Sequence, residues 1–588
     1  MTDSATGQQP AFDVLVVGSG AAGMAAAITA KLKGLRVIVV EKDTVYGGTS
    51  ALSGGGMWIP GNPVSARLGI ADSREDAKTY MLHEAGQHAR QDMIDAFLDN
   101  GPEMVGFFEK NTAMQFLPAP VFPDYHPGMP GASQGGRTLY AAHYNGKALG
   151  KHIAALRPPI REMTLFGLVT VSGDEVRHFL RATKSWTSAK YVARVFGNHF
   201  MDLLRHGRGM RLTNGGALMA RLAHTLYELD IPLWLSCPMQ ELIVEGGAVT
   251  GVRVERAGKL VELRPRHATV LACGGFPHDL ARRSKLFPHL QRGGSHHSPA
   301  PQGNTGDGLR AAEKAGGRVS NDMAHAAAWV TLSRVPYGNG GYGLFPHFID
   351  RAKPGIIAVN RSGNRFVNEA DSYHDFIPAL LASEPDGQPG PAFLIADHRA
   401  IRRYGLGFAK PFPMPLGGFL RSGYLRKGNT IAELAKAINI NAARLAQTIA
   451  QFNQDAAKGH DTQFGKGSTA YNRFMGDGGH DGPNPCLAPL VQGPFYAVEI
   501  VIGDLGTFAG LNTDTVARVT GANGRPIAGL YAVGNDMASV MGGAYPGGGI
   551  TLGPAMTFGY VAARHIAQEA GRPQGHGADF SNPTTQST

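Results

Sequence analysis

The sequence predicts an α/β protein organised around a βαβ dinucleotide-binding unit near its start. Three observations carry that reading. Asp13-Val-Leu-Val-Val-Gly-Ser-Gly-Ala-Ala-Gly23 is an apolar run that breaks into glycines spaced G-x-G-x-x-G. A small-residue stretch, Met24 to Ala30, then reads as a helix and leads to a second apolar run, Leu35 to Val40. That run ends in Glu41, about 20 residues past the glycines, where a carboxylate can take the hydroxyls of an adenosine ribose.

Each glycine has its own part. Gly18 permits the tight turn, Gly20 lets the backbone approach a pyrophosphate, and Gly23 lets the helix pack on the strand. The helix N-terminus around Ser19, Ala21 and Ala22 offers N–H groups and a positive dipole end to phosphates. Glu41 and Lys42 complete this first set of cofactor-binding candidates. The next stretch is Tyr46-Gly-Gly-Thr-Ser-Ala-Leu-Ser-Gly-Gly-Gly-Met-Trp58. A Gly/Ser/Thr loop directly after the ribose acid leaves room for a second, bulkier ring system. Gly48, Thr49, Ser50, Ser53, Gly54, Gly55 and Gly56 can bond a flavin diphosphate and ring edge.

Composition sets bounds. A chain of 588 residues buries a large core and divides into two or more lobes. The net charge of +10 comes without a dense Lys/Arg run or a nucleic-acid motif, so it reads as a mildly basic surface with no nucleic-acid partner. Cys237, Cys273 and Cys486 are scattered with no C-x-x-C, which fits a reducing, cytoplasmic setting. The first ten residues lack a signal pattern. No run of about 18 apolar residues is present, so no transmembrane segment is expected, and peripheral membrane contact stays open. His296-His297 has no H-E-x-x-H or carboxylate cluster beside it and reads as a surface or loop pair, with no metal.

Along the chain, residues 74–110 read as two helices over the first lobe, with Met93, Phe97, Met104 and Phe107 or Phe108 on the apolar side. The loop Leu117 to Gly136 contains Phe122-Pro-Asp-Tyr-His-Pro127, and loops often carry function. Residues 137–200 are read as an insertion covering that lobe, with no chemistry assigned. A helix from Gly215 to about Leu229 precedes strands at 232–235, 241–244, 249–255 and 268–272. The last runs into Cys273-Gly-Gly-Phe276, where Gly274 suits close backbone approach. Residues 283–485 lack a doubly wound pattern and read as a capping and substrate domain. From 486 to 571 the chain is expected to rejoin the first domain (residues 1–282). It does so through strands at 496–502 and 530–533, Gly534-Asn535-Asp536, and a helix at 555–569. The N-terminus of that helix, with Gly549, Thr551 and Leu552, suits the flavin pyrimidine edge. The tail 572–588 reads as disordered. The fold class is thus α/β, a Rossmann-type FAD-binding lobe built from both chain ends plus an α+β capping domain. No second fingerprint for a nicotinamide cofactor appears.

With its glycine fingerprint and loop, the chain resembles the flavoprotein family of the fumarate reductase and succinate dehydrogenase flavin subunits and the 3-ketosteroid dehydrogenases. Covalently flavinylated members tie the flavin to a His in this loop. None lies between Gly47 and Gly61, so the resemblance implies non-covalent FAD. Fumarate reductase sites resemble R-F-x-N-E followed by Arg-Asp, with a second Arg in the C-terminal glycine loop. Here the stretch is Arg365-Phe-Val-Asn-Glu-Ala-Asp-Ser-Tyr373-His-Asp375, and Gly542 to Gly553 holds no Arg. Without guanidinium forks a dicarboxylate would be desolvated and unpaired, so the substrate is expected to be uncharged at its reacting end.

The replacements resemble 3-ketosteroid Δ1-dehydrogenases. Tyr545-Pro-Gly-Gly-Gly549 and Gly553-Pro-Ala-Met-Thr-Phe-Gly559 look like the Y-P-G-P-G and G-P-A-M-T-F-G run of that family, and Asn368 to Tyr373 and Pro123 to Tyr125 also match. Gly548 departs from the family's proline. The resemblance implies that the Tyr545 hydroxyl and Gly549 N–H hold a ketone oxygen and stabilise the enolate. It implies Tyr373 as the base and Tyr125 as its hydrogen-bond partner, since a free phenol with pKa of about 10 needs help. Hydride then passes to flavin N5. His126 and His374 are rival proton handlers. The implied partners are an apolar, steroid-like ketone and an external electron acceptor such as a quinone. Alternatives are an ene-reductase acting on a neutral enone, and an FAD-binding protein without catalysis.

Overall fold

The computed structural model describes residues 12–165, 168–169, 178–179, 182, 185–320, 322–384 and 389–571. The first ten residues and the tail expected at 572–588 lie outside them. Strand Val14–Val17 is central to a six-stranded sheet ordered Leu233–Trp234, Val37–Val40, Val14–Val17, Ala268–Leu271, Pro526–Ala532, Arg518–Thr520. The first five run parallel and the last is antiparallel. Strand Val14–Val17 and its two neighbours are buried throughout, as parallel strands covered on both faces must be. The alternation of the strand decides what covers each face. Val14, Val16, Val37 and Val39 pack towards helices Ala21–Leu32, Asn214–Glu228 and Leu552–Glu569. Leu15, Val17, Ile38 and Val40 pack towards an antiparallel meander of Met239–Glu245, Ala248–Arg256 and Lys259–Leu263. Helix Leu552–Glu569 lies against helix Ala21–Leu32 so closely that a Cβ on Gly559 would stand 2.5 Å from the Ala22 carbonyl oxygen. The two ends of the chain therefore share one lobe.

A second six-stranded sheet contains Tyr342–Pro346, Ala327–Pro336, Phe495–Thr507, Ala392–Ala396 and Ile356–Val359 in that order, with Arg426–Gly428 also paired to Phe495–Thr507. The sequence reading groups strand 496–502 with the cofactor lobe, and the structure differs there. Phe495–Thr507 pairs antiparallel with Ala327–Pro336 on one side and Ala392–Ala396 on the other. Its residues are buried along almost the whole length. That pattern marks a central strand but carries no sign of which sheet it joins.

A small antiparallel sheet joins Gly56–Trp58, Thr138–Ala141 and Phe116–Pro118. Thr138–Ala141 opens the segment read as an insertion, yet it is the middle strand of this sheet and brings Arg137 and Tyr140 into the lobe. His296 lies in a loop, one of the two readings offered for it, but its side chain is not on the surface: it is fully buried, with Nε2 2.6 Å from Asp504 Oδ2 and Nδ1 3.0 Å from His289 Nε2. Asp504 is 208 positions away, so spacing along the chain gives no hint of it. Among the described residues no three His, Cys, Asp or Glu side chains form a metal site, and no helix is long and apolar enough to cross a membrane.

Candidate active site

One cavity of about 2710 Å³ runs from the first glycine turn to the second lobe. At its first end, Gly18 has φ +110°, and a Cβ there would stand 2.1 Å from the Ala272 oxygen, so only glycine fits the turn. Gly23 packs equally tightly on Gly18, with a Cβ distance of 2.1 Å. Gly20 and Gly54 are different. A Cβ on Gly20 would meet only Ser50 Oγ, at 3.5 Å, and one on Gly54 would meet nothing within 4 Å. Both glycines open space in the cavity, Gly20 at the N-terminus of helix Ala21–Leu32. Ser50 Oγ accepts the Ala21 N–H at 3.1 Å. Glu41 accepts the Ser19 N–H (3.0 Å) and hydroxyl (2.5 Å), plus the Asp43 N–H (2.9 Å). Lys42 Nζ is 2.7 Å from Asp307 and donates to the Gly303 carbonyl. An open glycine cradle, a helix N-terminus and a carboxylate at the ribose position fit the diphosphate and adenosine of FAD.

At the other end three tyrosines meet. Tyr125 and Tyr545 stack with ring centroids 5.6 Å apart and planes 7° from parallel. Tyr373 stands edge-on to both, 5.9 Å from Tyr125 and 5.2 Å from Tyr545. The Tyr125 hydroxyl donates to the Tyr373 hydroxyl at 3.5 Å. All three line the cavity and are 4–6 % exposed. Gly549 lies in the same loop as Tyr545 with φ +104°. A Cβ there would stand 2.3 Å from the Gly56 carbonyl carbon, so the loop seats directly on the flavin-side glycines. Its carbonyl accepts the Trp58 N–H at 3.1 Å, while no acceptor among the described residues takes its own N–H. That N–H remains able to bind a ligand oxygen.

Each tyrosine is placed by its own element. Tyr373 is the first residue of helix Tyr373–Ala382, whose cap Ser372 accepts the His374 N–H. Tyr125 sits in the loop after Phe116–Pro118, and its N–H donates to the Pro546 carbonyl at 2.9 Å. The Tyr80 hydroxyl donates to the same carbonyl at 2.7 Å. Asp124 anchors the Tyr125 loop by accepting Trp58 Nε1 and Arg137 Nη1, each at 2.7 Å, and the Ser133 N–H at 2.8 Å. Arg137 also pairs with Asp72. Burial pushes the Asp124 carboxyl up to about 6 against the pull of Arg137.

Electrostatics leave the phenols protonated. Burial raises Tyr373 and Tyr125 well above 10, and raises Tyr545 to about 12 against a hydrogen bond with Tyr373 that lowers it. The two rival histidines are committed elsewhere. Burial lowers His374 to about 3, so it is neutral, and its Nδ1 accepts the Trp329 N–H. His126 is held between Glu84 and Asp375, both at 2.8 Å. The guanidinium of the R-F-x-N-E stretch, Arg365, forms ion pairs with Glu369 and Asp461. Arg351 donates to three backbone carbonyls. Neither is free for a substrate carboxylate.

Of the catalytic and cofactor-binding candidates read from the sequence, the cavity wall holds all but Gly23 and Asp536, and the rival proton handlers His126 and His374 are not on it. Gly23 lies behind the turn. Asp536 is fully buried and braces the Cys273–Gly275 turn by accepting the N–H groups of Cys273 (2.6 Å) and Gly275 (3.0 Å). Sequence reading missed Arg137, Tyr140 and Tyr471. The last lies 4.7 Å from the Tyr125 ring and, like Tyr140, lines the cavity. No motif surrounds any of them.

A doubly covered parallel sheet, a glycine-rich turn at a helix N-terminus and a deep cavity beside it define a dinucleotide-binding flavoprotein. The chain belongs to the FAD-binding domain family, whose pattern matches residues 13–552. It is 42 % identical over 569 residues to the 4-oxocyclohex-2-ene-1-carboxylate 5-dehydrogenase of Sinomonas cyclohexanicum, covering 96 % of each chain. It is 38 % identical over 574 residues to the 3-oxosteroid 1-dehydrogenase of Mycobacterium tuberculosis, covering 95 % of this chain and 99 % of that one. The 3-ketosteroid Δ1-dehydrogenase of Sterolibacterium denitrificans, solved with 1,4-androstadiene-3,17-dione, superposes with a TM-score of 0.87. That match has 38 % identity and covers 95 % of this chain and all of that one. This chain is likewise an FAD-dependent oxidoreductase.

Proposed function

We propose that the protein dehydrogenates the carbon–carbon bond next to a ring ketone, with 3-ketosteroid Δ1-dehydrogenation as the leading reaction. The meeting of Tyr125, Tyr373 and Tyr545 beside the free Gly549 N–H carries this reading. Tyr545 and Gly549 donate to the ketone oxygen, and that bond strengthens as charge builds on it. The proton leaves the neighbouring carbon for Tyr373, which Tyr125 steadies through the hydroxyl contact. FAD, when bound, supplies N5 as the hydride acceptor. An external acceptor, a quinone in our reading, then takes the electrons. We read the FAD as non-covalent and the compartment as cytoplasmic. We read residues 1–282 and the stretch from Pro526 to Gly571 as serving the cofactor, with strand Phe495–Thr507 joining the second lobe of 283–485, and the substrate as held between the two lobes by Tyr125, Tyr545 and Gly549 from the first and Tyr373 from the second.

A second substrate reading rests on Lys410. Lys410 and Phe345 line the same cavity, and the Lys410 ammonium lies over the rings of Phe345 (5.1 Å) and Phe408 (5.3 Å). A cation held on aromatic faces can receive a carboxylate placed away from the reacting ketone. That suits a compact oxo-cyclohexene carboxylate such as the one named for the Sinomonas relative.

The test is anaerobic mixing of the holoenzyme with a 4-ene-3-one steroid and, separately, with 4-oxocyclohex-2-ene-1-carboxylate. Bleaching of the oxidised flavin with formation of the 1,4-diene supports the steroid reading. Bleaching only by the carboxylate moves the substrate to the second reading. Silence with both, but reoxidation of reduced enzyme by an enone, assigns a reductase instead.

A further inference from the structure

Tyr125 and Tyr373 touch through their hydroxyls although 248 positions separate them in the chain. Beside that contact is a second polar link between the same two segments. His126 follows Tyr125, and Asp375 lies in the first turn of the helix that Tyr373 begins. His126 Nε2 is 2.8 Å from Asp375 Oδ2. His126 Nδ1 is 2.8 Å from Glu84 Oε1, on helix Arg74–Ala85. The same helix carries Tyr80, whose hydroxyl holds the Pro546 carbonyl next to Tyr545 and accepts the His126 N–H at 3.3 Å.

We propose that His126 is a positioning residue, an imidazolium clasp that fixes the loop of Tyr125 against the helix of Tyr373 and so sets the distance between the two hydroxyls. A ring with a carboxylate at each nitrogen must donate from both, which only the cation can do. Charge-assisted bonds of this kind are short and directional. Burial works against the charge, but the hydrogen bonds and charges of Asp375 and Glu84 prevail and raise the group to about 11. Two further imidazoles face Asp375, those of His325 and His374, and both are pushed towards neutrality. The clasp is therefore the charged histidine at this junction, and with both nitrogens engaged it holds rather than shuttles protons.

This inference rests on the reading of Tyr373 as base and Tyr125 as its partner. The test compares His126→Ala and His126→Gln holoenzymes with the wild type in two ways. First, crystal structures give the Tyr125–Tyr373 hydroxyl separation. Second, turnover per bound flavin is measured with a ring ketone carrying deuterium next to the carbonyl. The clasp predicts that His126→Ala opens the pair beyond hydrogen-bond reach. It predicts kcat per flavin lower by on the order of 10–100-fold, as expected for misplaced reacting groups, and a larger deuterium isotope effect. KM should stay within about twofold. His126→Gln keeps one N–H donor and should recover part of kcat. If His126→Ala does not fold, Asp375→Asn takes its place. An unchanged hydroxyl separation overturns the clasp, as does kcat per flavin equal to wild type. A wild type that oxidises no ketone removes the functional reading, and the hydroxyl separation then decides the clasp by itself.

Discussion

The Phe122 ring occupies the space that any side chain at Gly548 would need. A Cβ on Gly548 would stand 2.5 Å from Phe122 Cε1 and 3.5 Å from the Tyr125 hydroxyl. The same ring packs on Tyr125 at 6.2 Å and on Phe474 at 5.1 Å. The departure from the related loop pattern at Gly548 thus has a partner in Phe122. Gly548→Ala should displace the ring at an overpacking cost of about 1–3 kcal/mol and raise KM for the ketone more than it lowers kcat. Adding Phe122→Ala should restore KM. Steady-state kinetics on flavin-loaded protein check this.

Tyr545→Phe removes one of two donors to the ketone oxygen without changing ring packing. Loss of one such donor typically costs about 10²–10³ in kcat. The variant should keep its flavin spectrum and lose turnover by that factor. Unchanged turnover would point to an FAD-binding protein without this chemistry.

Turnover should rise with pH. The acting base is deprotonated Tyr373, and burial raises its pKa well above 10. Below that value the phenolate fraction grows with pH, so log(kcat/KM) should climb by up to about one unit per pH unit on the way to the plateau. A pH profile that is flat from neutral upward would remove Tyr373 as the base. Tyr373→Phe should abolish the slope together with most of the rate.

Arg137 is the counter-charge of buried Asp124, which positions Tyr125. Arg137→Met leaves that carboxyl unpaired, and breaking a buried pair costs about 3–5 kcal/mol. The Asp124 pKa lies above its unfolded value, at about 6 against 3.8. Its protonated state therefore favours folding below pH 3.8, and this contribution is lost as pH rises through 6. The destabilisation by Arg137→Met should accordingly shrink as pH falls from 7 towards 4. Denaturant melts at both pH values measure it.

The flavin should be released by acid precipitation of the protein, because the Gly47–Gly61 loop offers no histidine for a covalent bond. Yellow supernatant and colourless pellet are the expected result. Colour retained in the pellet would assign a covalent link from elsewhere.

The cofactor end was legible because its chemistry is contiguous. Strand, Gly18, Gly20, Gly23, helix and Glu41 follow one another, and the Tyr545 loop leads directly into its helix. The tyrosine site was legible only through resemblance, and its supports were not legible at all. Arg137 reaches Asp72 from 65 positions away, and His126 reaches Asp375 from 249. Such pairs leave no periodicity in the chain. Strand Phe495–Thr507 shows the limit for the fold, since burial on both faces looks alike in either sheet. His296 shows the same limit for a single side chain.

The cofactor cradle has a timetable. Strand Val14–Val17 and its glycine turn are made first, while Pro526–Ala532, two places away in the sheet, and helix Leu552–Glu569 over Ala22 come roughly 500 residues later. At about 5–20 residues per second that interval lasts on the order of half a minute to two minutes. During synthesis the nascent N-terminal segment therefore presents an incomplete wall to FAD. Tight capture awaits helix Leu552–Glu569, so the flavin is held by chains already translated through Glu569.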